Sequence, residues 1–149
     1  MGQTLVTKSP SETQKWSERF AKKLRGGDMV ALYGELGSGK TTFVQGLARG
    51  LGVKRHIISP TFIIVRKYGM GIMNHESGIK SFYHVDLYRI ENKNDLQGLG
   101  LEEIMKDKHS IVAIEWAEKV GELLPKTRWD IQFAYVSESR RRVHISHAC

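Results

Sequence analysis

The chain has 149 residues, 40% of them apolar and 26% charged, enough for one hydrophobic core without disulfide staples and too few polar runs for long disordered segments. Its single cysteine, Cys149, excludes an internal disulfide, and no apolar stretch approaches the roughly 20 residues that cross a bilayer. A net charge of +7, from 23 Lys and Arg against 16 Asp and Glu, favours anionic partners such as nucleotides, RNA or an acidic protein face.

The opening MGQTLVTKSP lacks the apolar centre of a signal peptide, and Val6 stands where a myristoylation signal needs Ser or Thr. The expectation is a cytoplasmic protein with one domain over 1–149. SPSETQKWSERFAKKLRGG then reads as a helix. Ser9 is the N-cap, Pro10 fits the first turn, and Glu12 completes a capping box. Trp16, Phe20 and Leu24 form an apolar stripe, and Gly26 and Gly27 end it.

MVALY (29–33) is apolar throughout, as expected of a strand covered on both faces. A glycine loop follows from Gly34 to Gly39, and KTTFVQGLARGLG places Phe43, Val44, Leu47 and Leu51 at helical spacing. TFIIVRKY (61–68) and KSFYHVDLYRI (80–90) predict a hairpin joined by the loop 69–80. On the second strand the two-residue period puts His84 and Asp86 on one face and Tyr83, Val85 and Leu87 on the other. LEEIMKD (101–107) is a short helix, SIVAIEW (110–116) a buried-type strand, and EKVGELL a helix stopped by Pro125. WDIQFAYV and RRVHIS close the chain as an antiparallel pair, with Arg140, Arg141 and Arg142 read as a solvated cap. The whole predicts an α/β, P-loop NTPase-like domain with a mixed, largely parallel central sheet flanked by helices.

The stretch ALYGELGSGKTTFVQG carries the chemistry. Gly34, Gly39, Lys40 and Thr41 fit G-x-x-x-x-G-K-[ST] between a predicted strand and a predicted helix. Glycines let successive backbone N–H groups turn inward around phosphates, and the helix start adds its positive end. Lys40 would reach the β- and γ-phosphates and the Thr41 hydroxyl would ligate Mg²⁺.

A carboxylate at a neighbouring strand end should complete the metal side. Glu115 ends SIVAI, where it could bind the metal directly or through water, or position an attacking water; a solvated strand-end glutamate is the bland alternative. Asp86 in YHVDLYR needs a metal, a water or an arginine such as Arg89 as partner. His84 reads as a packing or hydrogen-bonding neighbour, Trp116 as core or rim, and HISH (144–147) has no third metal ligand nearby in sequence. NKND (92–95) and DLQG (95–98) match fragments of GTPase signatures, but they overlap on one aspartate and fall in the wrong order. A small-molecule kinase would also carry a P-loop, yet no lid insertion is evident, so an ATPase acting on a partner fits this length better. A nucleotide-gated binding module without useful hydrolysis is the third class.

SETQKW, LYGELGSGKTTFVQGL, SPTF (59–62), YHVDLYRI, LGLEEI and AIEWAE occur in that order between about residues 11 and 118. Taken together they resemble the TsaE (YjeE) family, the bacterial P-loop ATPases of tRNA N6-threonylcarbamoyladenosine (t6A) synthesis. The resemblance implies ATP and Mg²⁺ as cofactors. It also implies docking on the TsaD and TsaB proteins, whose complex carries out the transfer to position 37 of tRNA and is reset by ATP hydrolysis. TsaC supplies the threonylcarbamoyl adenylate, and tRNA is met indirectly through the complex. By the same resemblance Asp86, Glu115 and Lys40 are the catalytic group, and Thr41 and Glu115 the metal side. The nucleotide is held by Thr13, near the adenine, and by Glu35, Leu36, Gly37, Ser38, Gly39, Lys40, Thr41 and Thr42. Ser59 to Phe62 would be a mobile segment near the γ-phosphate.

Overall fold

A computed structural model describes residues 2–55, 57, 64–70 and 78–148. Seven strands form a single sheet in the order β1-β7-β6-β2-β5-β4-β3. They are β1 Gly2–Thr7, β2 Met29–Tyr33, β3 Val65–Gly69, β4 Ser81–Asp86, β5 Ser110–Glu115, β6 Arg128–Tyr135 and β7 Arg141–Ala148. The four middle strands, β6, β2, β5 and β4, run parallel. Antiparallel partners close both flanks: β7 and β1 beyond β6, and β3 beyond β4. The sheet is therefore mixed as expected, with the parallel part confined to its centre.

The sheet's inner strands β2 and β5 are covered on both sides, because MVALY is apolar throughout and SIVAIE is apolar except at its two ends. Val30 and Leu32 of β2 face one core with α1 (Pro10–Phe20) and α2 (Lys40–Gly50). Met29 and Ala31 face the other, with α3 (Leu101–Lys106) and the turns after β4 and β5. Ser9 caps α1 through its Oγ, which accepts the Glu12 N–H at 3.1 Å, with Pro10 opening the first turn. The predicted stripes of both helices are packed: Phe20, Leu24, Phe43, Val44, Leu47 and Leu51 are all buried. On β4 the predicted faces also hold, since Val85 and Leu87 lie in the α3-side core while Phe82 lies in the other.

One local expectation changes, and two segments gain a structure that the sequence had not assigned. GQTLVT is a strand, paired with β7 from Gly2↔Ser146 to Thr7↔Arg141, which its own residues do not announce. EKVGELL is two 3₁₀ turns, Ala117–Lys119 and Gly121–Leu123, because Gly121 at φ 65° breaks the helical path. NKND is the start of a 3₁₀ turn with a capping box: Asn92 Oδ1 accepts the Asp95 N–H at 3.2 Å and Asp95 Oδ2 accepts the Asn92 N–H at 3.3 Å. Local capping thus accounts for those residues without any base recognition. Among the described residues no helix is long and apolar enough to cross a membrane.

Candidate functional site

The loop between β2 and α2 is shaped by glycine. Gly34 has φ 147° and Gly39, the N-cap of α2, has φ 107°, both in the range that L side chains avoid. Gly34 also has no room for a side chain, since a Cβ there would lie 2.6 Å from Ser38 Oγ and 2.9 Å from the Phe133 carbonyl. Phe133 belongs to β6, the parallel neighbour of β2, so the loop is seated across two strand ends.

Lys40 opens α2 and is only 4% exposed. Its Nζ donates to the carbonyls of Gly34 and Glu35, the latter at 3.0 Å, and lies 3.9 Å from the centre of the Trp116 ring. Among the described residues it makes no ion pair, so carbonyl oxygens and a ring face hold it while its full charge is left for an anion. Burial lowers its pKa from the usual lysine range, opposed by the negative charges of Glu115, Glu118, Asp86 and Glu35. Ser38 Oγ, beside it in the loop, is buried with no hydrogen-bond partner among the described residues. An unspent donor and an unneutralised cation inside a glycine cradle suit phosphate oxygens.

The next residue meets a buried carboxylate. Thr41 Oγ1 donates to both oxygens of Glu115, at 2.9 and 3.1 Å. Glu115 ends β5, the parallel neighbour of β2, and is 2% exposed. The solvated strand-end alternative for Glu115 therefore does not hold. A hydroxyl and a carboxylate in contact are hard oxygen donors of the kind Mg²⁺ takes. No group of three or more His, Cys, Asp or Glu able to hold a metal occurs among the described residues. Two protein oxygens, with phosphate oxygens and water completing the shell, are a donor set that Mg²⁺ takes.

Both features open into one cleft of about 320 Å³. Every described residue expected to hold nucleotide or metal or to act in catalysis lines it except Glu35, whose side chain is exposed and whose carbonyl instead receives Lys40. Thr13 lines the far end, with its hydroxyl bonded to Thr7 Oγ1 at 2.7 Å and donated to the Ser9 carbonyl at 3.3 Å. Asp86 lines the cleft half-buried, its Oδ1 accepting the Tyr88 N–H at 3.0 Å. Ser59 to Phe62 and most of the loop 69–80 lie outside the described residues.

Of the lining residues that were not expected there, two make contacts that bear on the phosphate loop. Arg141 reaches in from the β6–β7 hairpin, donating to the Gly37 carbonyl at 3.1 Å and the Ser137 carbonyl at 2.7 Å, with its guanidinium over the Tyr135 ring. Arg140 and Arg142 on either side are exposed as expected; only strand alternation, applied to the RRR run, could have singled out the middle one. Trp116, the other, is the only non-glycine residue at positive φ among those described, at 60°. A bulky residue there signals strain, and strain gathers at functional sites.

The sequence model for the family described as Threonylcarbamoyl adenosine biosynthesis protein TsaE matches residues 7–143. The chain belongs to the TsaE family. It is 35% identical over 137 residues to the tRNA threonylcarbamoyladenosine biosynthesis protein TsaE of Bacillus subtilis, covering 92% of this chain and 80% of that one. The TsaE of Treponema pallidum is 32% identical over 141 residues, covering 95% and 98%. The crystal structure of Bacillus subtilis YdiB superposes with a TM-score of 0.81 at 29% identity, over 100% of this chain and 87% of that one. The TsaE match runs from the end of β1 into β7, so it takes in every residue of the cleft described above.

Proposed function

We propose that this protein binds ATP with Mg²⁺ in the cleft and hydrolyses it to sustain cytoplasmic t6A synthesis, by acting on a TsaD–TsaB complex. The supporting observation is the Thr41–Glu115 contact standing beside a buried lysine that makes no ion pair among the described residues. Lys40 would leave the Gly34 and Glu35 carbonyls for the β- and γ-phosphate oxygens, while the loop N–H groups and the Ser38 hydroxyl take the rest. Thr41 and Glu115 would hold Mg²⁺, which supplies charge neutralisation across the phosphates when bound. Water then attacks the γ-phosphorus as the bond to ADP breaks. Asp86 and Glu115, on adjacent strand ends that line the cleft, are the carboxylates we assign to orienting that water. At the far end Thr13, packed between Ser9 and Thr7, would border the adenine through its carbon atoms, because its hydroxyl is already bonded.

The test is the ATP hydrolysis rate of the purified protein, alone and with a TsaD–TsaB complex. We expect slow hydrolysis alone and strong activation by the complex, with Lys40→Ala losing nucleotide binding in both cases. A rate indifferent to the complex but rising with a small phosphate acceptor would identify a metabolite kinase instead. Repeated t6A turnovers supported equally by a non-hydrolysable ATP analogue would identify a nucleotide-gated binding module.

A further inference from the structure

His84 is fully buried on β4, two residues before Asp86, and nothing in the proposed chemistry uses it directly. Its Nε2 lies 2.5 Å from Glu115 Oε2. An ionised carboxylate only accepts hydrogen bonds, so the contact places a proton on Nε2 and makes the ring the donor. Nδ1 has no partner among the described residues.

This is an odd residue for its surroundings. The strand positions on the same face, Phe82, Ile111 and Ala113, belong to the apolar core against α2, where an aliphatic side chain would pack with no polar atom left over. Keeping a half-partnered imidazole there costs stability. What it gains is a second fix on Glu115. Thr41 reaches the carboxylate from α2, and His84 reaches it from β4, whose parallel register sets His84 opposite Ala113 and so one step along the face from Glu115. Glutamate has one more rotatable bond than the aspartate usual at this place in P-loop proteins. Two donors from two different elements remove that freedom.

We infer that His84 is a positioning residue that holds the Glu115 carboxylate in the orientation its metal-side role requires. The inference rests on the reading of Glu115 given above. Groups that hold a metal's ligands set its affinity, and their loss typically costs 10- to 100-fold.

The experiment compares two amides at position 84. In His84→Gln the amide nitrogen falls near the place of Nε2 and can still donate to Glu115. In His84→Asn it falls near Nδ1 and cannot reach. ADP affinity is measured by calorimetry, in chelator and across a Mg²⁺ series, with ATP hydrolysis alongside. The expected result is that His84→Asn needs about 10- to 100-fold more Mg²⁺ for half-maximal enhancement of ADP binding, while its ADP affinity in chelator equals the wild type. His84→Gln should recover most of that loss, and His84→Leu, which keeps apolar volume without a donor, should behave like Asn. If Leu matches the wild type, or if Gln does no better than Asn, His84 only packs and the inference is overturned. If the wild type itself shows no Mg²⁺-dependent ADP binding, the reading of the site falls first and the inference falls with it.

Discussion

The ends of β4 and β5 make an instructive pair. Asp86 and Glu115 are register partners on neighbouring parallel strands and point to the same side of the sheet, both into the cleft. Past that point the two ends diverge. Glu115 is almost fully buried, gripped by Thr41 and His84, and followed by Trp116 in a strained conformation. Asp86 is half-buried and followed by a surface turn in which Tyr88 and Arg89 are exposed. A carboxylate clamped in the interior suits a fixed job on a metal's side of the site. One that is half-buried and leads into an exposed turn is placed to respond to what enters or docks.

The sharpest way to break this comparison is to remove each carboxylate in turn. Glu115→Ala should lower Mg²⁺-dependent ATP hydrolysis by more than about 100-fold, exceeding the loss usual for a merely supporting residue, while ADP binding in chelator stays within a few-fold of wild type. Asp86→Ala should lower partner-stimulated hydrolysis by about 10-fold, the low end of the general acid–base range or below it. Being half-exposed, Asp86 should also cost less than about 1 kcal/mol in urea unfolding when removed. Equal losses of hydrolysis, or a larger one at Asp86, would mean that the buried carboxylate is structural and the surface one does the chemistry.

How far these ends were legible in the sequence follows from what kind of contact each one makes. The loop from Gly34 to Thr41 could be read because its geometry depends on residue types that are adjacent in the chain. The common face of His84 and Asp86 could be read because strand alternation is local. That β4 lies beside β5, which is what brings His84 to Glu115, could not: each strand looks buried by itself, and nothing in either names its neighbour. Arg141 was hidden for the same reason, its bond to the Gly37 carbonyl spanning 104 positions and ending on backbone. β1 owes its strand form to pairing with β7 rather than to any pattern in GQTLVT.

The smallest expected effect reads the difference between the two carboxylates through Lys40. Its ammonium lies in the field of both, and Glu115 supports its charge more strongly than Asp86 does. Burial still wins, so Lys40 releases its proton below the usual 10.5. Because the unfolded chain binds that proton more tightly, the contribution of Lys40 to stability rises with pH between the lowered value and 10.5. Removing a nearby negative charge takes support from the ammonium. Glu115→Gln should therefore lower the Lys40 pKa further, and Asp86→Asn should lower it by less. Carbon-13 NMR titration of labelled lysine, with the Lys40 resonance assigned through Lys40→Arg, reads both shifts directly. A larger shift from Asp86→Asn would place the ammonium nearer Asp86 than Glu115, and would reverse the order in which the two strand ends act on Lys40.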